Sequence, residues 1–534
     1  MTLLTLDNIA DYLKNDIKVK VAGVDSSGIL RGKVMSKDKF LSTVESGFGF
    51  SSAVFGWDMH DALYADPASS AMASENGGYS DFIAVADLSS FRRLPWEENI
   101  PFFLLRFTVN DKPVVACPRS MLAGITEKLA QNNVKALAGV ELEFFNFQTP
   151  TEDGYGVGGS RPDVAGFLEK NAPGALRPIT QGMFGYSMTR PTASKKYFYD
   201  IFNTCVSVGC DLEIQHTESG PGVYEAALAV KEVSEMADRV SLFKLTTKSI
   251  AMDHNITPCF MAKPLYGWPG SSGHIHMSLT DSNGKNLFAR ETRDDSARWR
   301  DIASFSDMGR HFLAGILDAL PDIMPLLAPN INSYKRFVEN CWVPVRLNWG
   351  LEDRLVSVRL IAPPVCKAAA TRMEIRIPGA DLHPHYALSA LLKAGMRGVE
   401  KKLDIPVPPA SARSNEEAAL LPNTLDEATR RFKAPGSVAR ELFGDTFVEF
   451  YAASSEHELR LWREAITDWE LKRLSVKANT VNYKIALNEI VNVVTTANCR
   501  WNPWDAGWNG KGKSAVRTDF KPNTGHDDCY AVGE

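Results

Sequence analysis

The chain has 534 residues, of which 44% are hydrophobic and 23% charged, the balance of an ordinary globular protein. At roughly 150 residues per domain it has room for about three to four domains, or one large domain with a small one. Lys+Arg total 59 against 64 Asp+Glu, a net charge of −5, which excludes a chain built mainly to coat nucleic acid or an anionic membrane.

The opening MTLLTLDNIADYLKND lacks a basic stretch followed by an apolar core, so no secretory signal is expected. No run of about 18 apolar residues occurs, so no transmembrane helix is expected. The eight Cys form no C-x-x-C pair, which argues against a zinc knuckle and for reduced thiols in a cytoplasmic protein.

Residues 17–40 predict a hairpin around a DSSG turn. Residues 45–80, rich in Gly, Ser and Ala, predict a long loop. Segment 101–116 is strand-like, and a boundary near 115 closes a small β-rich part. A helix follows over RSMLAGITEKLAQNN, then a strand at 136–147. Helices are expected at 192–209, within 225–255, and over most of 386–403 and 437–475. GHIHMSLT, RLVSVRLI and TRMEIRIP read as further strands. The last sixty residues are weakly periodic and read as a surface arm or extension.

The strands carry paired charges. Residues i and i+2 of a strand share a face. Glu141 and Glu143 therefore share one face, as do His274 and His276. Arg372, Glu374 and Arg376 share another, with Met373, Ile375 and Ile377 opposite. Buried unpaired, such charges are costly. They fit a sheet whose polar face lines a cavity for metal and anion. Glu218 and Glu225 add two carboxylates. Carboxylates without thiolates suit hard cations such as Mg²⁺ or Mn²⁺. Arg336, Arg354, Arg359, Arg372 and Arg376 suit bidentate binding of carboxylate and phosphate. Taken singly, each motif has a plain reading: a solvated strand face, a packed His pair, a cross-strand ion ladder. GWPGSSG (267–273) is not a Walker loop, since no G-K-[ST] follows. The order of the motifs is what carries meaning.

In that order, VELEFF, ESGPGVYE, MAKPLYGWPGSSGHIHMSL, NSYKRF, EDRLVSVRL and TRMEIRIPGADLHPHYALSALLKAG resemble glutamine synthetase and its relatives, the glutamate–amine ligases, over about residues 136–396. The resemblance implies an α+β fold: a small N-terminal β-grasp domain (1–115), a catalytic ATP/glutamate domain with a curved antiparallel sheet flanked by helices (116–475), and a C-terminal extension (476–534). It implies one Mg²⁺ (or Mn²⁺) held by Glu143, Glu218 and Glu225 near glutamate. A second is implied at Glu141, His274 and Glu374 near the ATP phosphates, two to three ions per site in all. It assigns Glu213, His276 and Ser278 to the nucleotide. Arg336 and Arg376 would grip glutamate carboxylates, and Gly270 would let the glutamate backbone approach. Arg354 and Arg359 would steady ATP phosphates and the acyl phosphate. The implied assembly is a homo-oligomeric ring of ten or twelve subunits in which an N-terminal loop completes the neighbour's site. No nucleic acid or membrane partner is implied.

The sequence departs from the ammonia-using pattern. Where glutamine synthetases place a Glu six residues after the Arg of Y-K-R, this chain has Trp342, and the nearest acid is Glu339. The neighbour-loop F-D-G-S-S motif is missing from VFGWDMHDA, leaving Asp58 or Asp61 as possible stand-ins. A Lys before R-x-E-x-R is replaced by Ala369, with Lys367 nearby. Exchanging Glu for Trp removes a charge and adds an apolar face able to pack a larger amine or hold its cation. The expectation is an ATP-dependent ligase joining glutamate to an organic amine. The alternatives are a glutamine synthetase using ammonia and a non-catalytic family member.

Overall fold

The computed structural model describes residues 4–64, 66, 78–151, 164–339, 342–413 and 417–478. The expected C-terminal extension lies outside them, apart from its first residues. The chain divides into two compact units at Leu459/Arg460. Both sheets belong to the first.

The N-terminal sheet has the order β2-β1-β5-β4-β3, with β6 on β5. β1 (Lys18–Val24) and β2 (Leu30–Ser36) form the expected hairpin. Asp25 closes its turn by accepting from the Ser27 and Ile29 amides, and Gly28 supplies a left-handed residue at φ +80°. Helix α1 (Lys37–Thr43) covers the sheet through Phe40, stacked on Phe103 at 4.8 Å. The 45–80 segment is less irregular than expected. It contains β3 (Phe48–Ser51) and a 3₁₀ turn, Ser52–Phe55. β4 (Asp81–Leu94) has no counterpart in the sequence reading, because its Ser, Asp and Arg content masks the alternation. β5 (Ile100–Val109) is buried for most of its length and ends in a tight return to β6 (Lys112–Pro113).

The second sheet has the order β13-β14-β15-β12-β7-β9-β8, with β10 (Lys231–Glu232) and β11 (Ile256–Cys259) also on β7. Its axis is the 15-residue β7 (Val134–Gln148). Ala136, Ala138, Val140, Leu142 and Phe144 of β7 are buried, so Glu141 and Glu143 take the other face. The pairings are antiparallel except β13 with β14 (Val358–Ile361). Helices α2 (Pro118–Gln131) and α4 (Val233–Asp253) lie against β7. α3 (Lys195–Ser207) packs on α4, and α5 (Asp307–Leu327) on α6 (Pro384–Lys401). α7 (Asp445–Glu464) follows. The helix expected within 225–255 starts at Val233, and residues 225–228 belong to β9 (Val223–Leu228). No described helix is long and apolar enough to cross a membrane.

Candidate active site

The polar face of the second sheet gathers the charges. β12 (Ile275–Asp281) pairs with β15 (Arg372–Ile375) so that His276 lies opposite Glu374. β7 pairs with β9 so that Glu143 lies opposite Glu225. His274 falls one residue before β12. Its carbonyl accepts from the Glu141 amide at 3.0 Å, which keeps it on the face of His276. Arg376 likewise falls just past β15.

One cluster is Glu141, His274, His276 and Glu374. His274 Nδ1 stands 3.5 Å from Glu141 and 3.4 Å from Glu374. His276 Nε2–H donates to Glu141 at 3.1 Å, while its Nδ1 accepts from Arg372 at 3.2 Å. The resemblance assigns His276 to nucleotide; in the structure one of its ring nitrogens also lies within 4.8 Å of carboxylate oxygens of Glu141 and Glu374. Burial alone would raise Glu141, but hydrogen bonds from His274 and His276 hold it far below the usual carboxylate range. Glu374 is also lowered despite its burial, by the charges of His274 and Arg376. Arg376 and Arg359 both bond this carboxylate, Arg359 at 3.0 Å. Arg359 is held from its other side by Glu352 at 2.7 Å. Glu352 takes φ +55° to do so, a conformation non-glycine residues adopt at a cost.

The second cluster is Glu143, Glu218 and Glu225, joined by His216. The sequence reading did not single out His216, although its i+2 spacing to Glu218 was a usable signal. His216 lies opposite Glu225 in the β8–β9 pair, their side chains 3.5 Å apart. Burial, then repulsion from Glu143, pushes Glu218 up to about 7. Burial and the Glu143, Glu141 and Glu218 charges raise Glu225 well above the carboxylate range. Glu218 Oε2 is buried without a hydrogen-bond partner. Carboxylates crowded in this way, with one orphaned oxygen, fit a hard cation. Ligand atoms of His216, Glu218 and Glu225 lie within 4.8 Å of one another, as do those of Glu141, His276 and Glu374.

Tyr186 is a further residue the sequence did not reveal. Its backbone is left-handed, φ +54°, and its ring lies against His216, tilted by 31° with centroids 4.4 Å apart. The Tyr186 amide donates to Thr217 O at 2.7 Å, and its hydroxyl faces Arg354. Arg354, exposed beyond β13 (Trp349–Leu351), is thereby placed on the Glu218 side.

Arg336 is buried and donates to the carbonyls of Ile377 (2.9 Å) and Arg376 (3.3 Å). Its burial lowers it to about 10. A Cβ on Gly270 would stand 2.8 Å from Arg336 Cγ and 2.9 Å from Ala262 O. In this structure it is therefore the Arg336 side chain that approaches Gly270 closely. Ser278 is half-buried on β12, two residues past His276. Glu213 is exposed at a bulge of the edge strand β8 (Leu212–Thr217) and does not join either cluster. Trp342 is 49% exposed. Glu339 is bound to Arg346 at 2.7 Å. Neither expected stand-in acid is free: Asp58 is buried and bonded to His457 of α7 at 3.1 Å and to the amides of His60 and Ala62, while Asp61 pairs with Arg31.

A fold of this kind, with carboxylates, histidines and arginines converging on one sheet face, defines a class of cation-dependent enzymes acting on anionic substrates. Residues 115–474 match the family model described as glutamine synthetase, catalytic domain. The chain is 37% identical over 481 residues to the type-1 glutamine synthetase 2 of Dictyostelium discoideum, covering 88% of this chain and 86% of that one. It is 32% identical over 473 residues to a glutamate–isopropylamine ligase of a Pseudomonas species (87% and 96% covered). It is also 32% identical over 460 residues to a gamma-glutamylethanolamide synthetase of Streptomyces coelicolor (85% and 92%). The solved structure of a GmaS/ADP complex superposes with a TM-score of 0.70 at 23% identity, covering 88% of this chain and 99% of that one. The chain belongs to the glutamine synthetase family, whose members are ATP-dependent ligases that generally use divalent metal ions.

Proposed function

We propose that this chain joins the γ-carboxylate of glutamate to an organic amine through a γ-glutamyl phosphate. The observation that carries this is the acid-poor loop after Arg336. Trp342 stands where the ammonia-using pattern has Glu, and Glu339 is engaged by Arg346. The pairing of Asp58 and Asp61 within their own chain adds support. So do two relatives whose names specify amine acceptors.

In this reading Arg336 and Arg376 hold glutamate, with Gly270 leaving Arg336 its place. Arg354 and Arg359 steady phosphate, and Glu213, His276 and Ser278 lie toward nucleotide. Glu143, Glu218 and Glu225, with His216, would hold one Mg²⁺ or Mn²⁺; Glu141, His274 and Glu374 would hold another. Such ions, two to three per site, neutralise phosphate oxygens when bound. The γ-carboxylate takes the phosphoryl group from ATP and so gains a leaving group. A neutral amine then attacks the carbonyl and phosphate departs. Residues 1–115, 116–475 and 476–534 form the three parts, the chain works in the cytoplasm, and ten or twelve copies form a ring.

The ammonia reading keeps a specific support, the 37% identity to a protein named glutamine synthetase. Phosphate release from ATP with Mg²⁺ and glutamate separates the two. Faster release with one of a panel of mono-, di-, poly- or aromatic amines than with ammonium supports the amine ligase. Preference for ammonium overturns it.

A further inference from the structure

Behind the glutamate side of the site lies a buried carboxylate that the proposed chemistry does not use. Asp381 follows β15 and the 376–380 turn. Its Oδ2 accepts from Ser333 Oγ at 2.6 Å and from Asn330 Nδ2 at 2.8 Å. Its Oδ1 is buried with no hydrogen-bond partner. A Cβ on Gly379 would stand 2.6 Å from that oxygen, so the glycine leaves it room. The two bonds fix the 330–336 turn, which ends in Arg336. Asn330 also accepts from the Asn332 and Ser333 amides, and Asn332 exchanges two 2.8 Å bonds with the backbone of Lys263. Lys263 opens the loop that leads to Gly270. Segment 376–381 is therefore tied to the 330–336 turn through this carboxylate, and that turn to segment 262–270 through Asn332.

The charges give this joint a direction. Arg336 makes its hydrogen bonds to carbonyls, and the opposite charges facing it are Glu143 and Asp381. Arg376 repels it. Lys244 of α4, which donates to Leu382 O at 3.1 Å, is the other cation facing Asp381. A buried cation is stabilised by each counter-charge that faces it and loses part of that stabilisation when one is removed.

We propose that Asp381 is a positioning residue for substrate carboxylate binding: it anchors the turn that carries Arg336 and supplies one of the opposite charges that face its guanidinium. This rests on the reading of Arg336 as a glutamate ligand. Asp381→Asn keeps the side-chain volume and an acceptor for Ser333 while deleting the charge. The test is calorimetric titration of glutamate into the full-length protein with ADP and Mg²⁺, alongside KM values for glutamate and ATP. Glutamate affinity is expected to fall by about tenfold or more in D381N, with glutamate KM rising and ATP KM within about twofold. Ser333→Ala, which keeps the charge and loses one bond, is expected to give a smaller loss in the same direction, and it serves as the test should D381N not fold. Unchanged glutamate affinity in the variants, or glutamate and ATP KM rising together, overturns the proposal. Normal glutamate binding without amine-dependent turnover in the wild type would instead overturn the functional reading alone. No glutamate binding by the wild type overturns both.

Discussion

Gly270 has no space for a side chain. Its neighbours at 2.8 and 2.9 Å are Arg336 Cγ and a backbone oxygen, and the latter cannot yield. Gly270→Ala should therefore displace Arg336 and raise glutamate KM by about tenfold, with ATP KM little changed. Steady-state kinetics in both substrates checks this; an unchanged glutamate KM contradicts it. In the proposed reading Trp342 serves the other substrate. Trp342→Ala should raise the KM of the preferred amine by about tenfold, the scale of a lost cation–π or packing contact. Trp342→Glu should raise turnover with ammonium relative to that amine. Equal use of both acceptors before and after the change would remove Trp342 from the account. With Glu339, the carboxylate of that loop, engaged by Arg346, the amine is expected to arrive deprotonated, so the rate should climb with pH toward the amine's own pKa. A flat profile from neutral pH upward would count against this.

Strand geometry places the like charges. β7, β8 and β9 set Glu143, Glu225 and His216 side by side, and the turn after β8 adds Glu218. Glu218→Gln removes one of several repelling charges. It should stabilise the metal-free protein by about 1 kcal/mol and weaken the stabilisation that Mg²⁺ confers. Melting curves with and without Mg²⁺ read both effects, and a variant that gains as much from Mg²⁺ as the wild type would refute the assignment. The E-x-E, H-x-H and R-x-E-x-R patterns were legible because strand alternation is a local rule. The Asp381 joint was not, since Asn330, Ser333, Lys244 and Arg336 reach it from distant segments. Tyr186 escaped notice for a related reason: its left-handed backbone is imposed by docking on Thr217. Of the fold, the hairpin and the central strands could be read. β4 could not, because its bulge at Asp87–Arg92 breaks the period.

Across the molecule, a buried ionic network ties the two sheets' surroundings together. Arg119 of α2 pairs with Asp87 of β4 at 2.8 Å and Asp238 of α4 at 2.7 Å, and His385 of α6 bonds Asp238 at 2.8 Å. Asp238→Asn should cost about 3 kcal/mol, since it leaves Arg119 buried with one counter-charge fewer. Nearby, His383 caps α6 by accepting from the Tyr386 amide and donates its other nitrogen to Asp25 O at 2.9 Å. Only the neutral ring can do both. Burial, with the neighbouring His385, lowers His383 to about 3. Between that value and the unfolded value of about 6.5 the unfolded chain binds the proton and the folded chain does not. His383 therefore subtracts stability as pH falls through that window. Urea midpoints should decline from pH 7 to pH 4.5, and less steeply in His383→Asn.

The acceptor proposed for this chain is an organic amine. The most direct measurement is a competition: the full-length protein with ATP, Mg²⁺, glutamate, and equimolar ammonium and the amine preferred in the panel, with products identified by mass. The γ-glutamylamide of the amine should dominate over glutamine. Glutamine as the main product would contradict it.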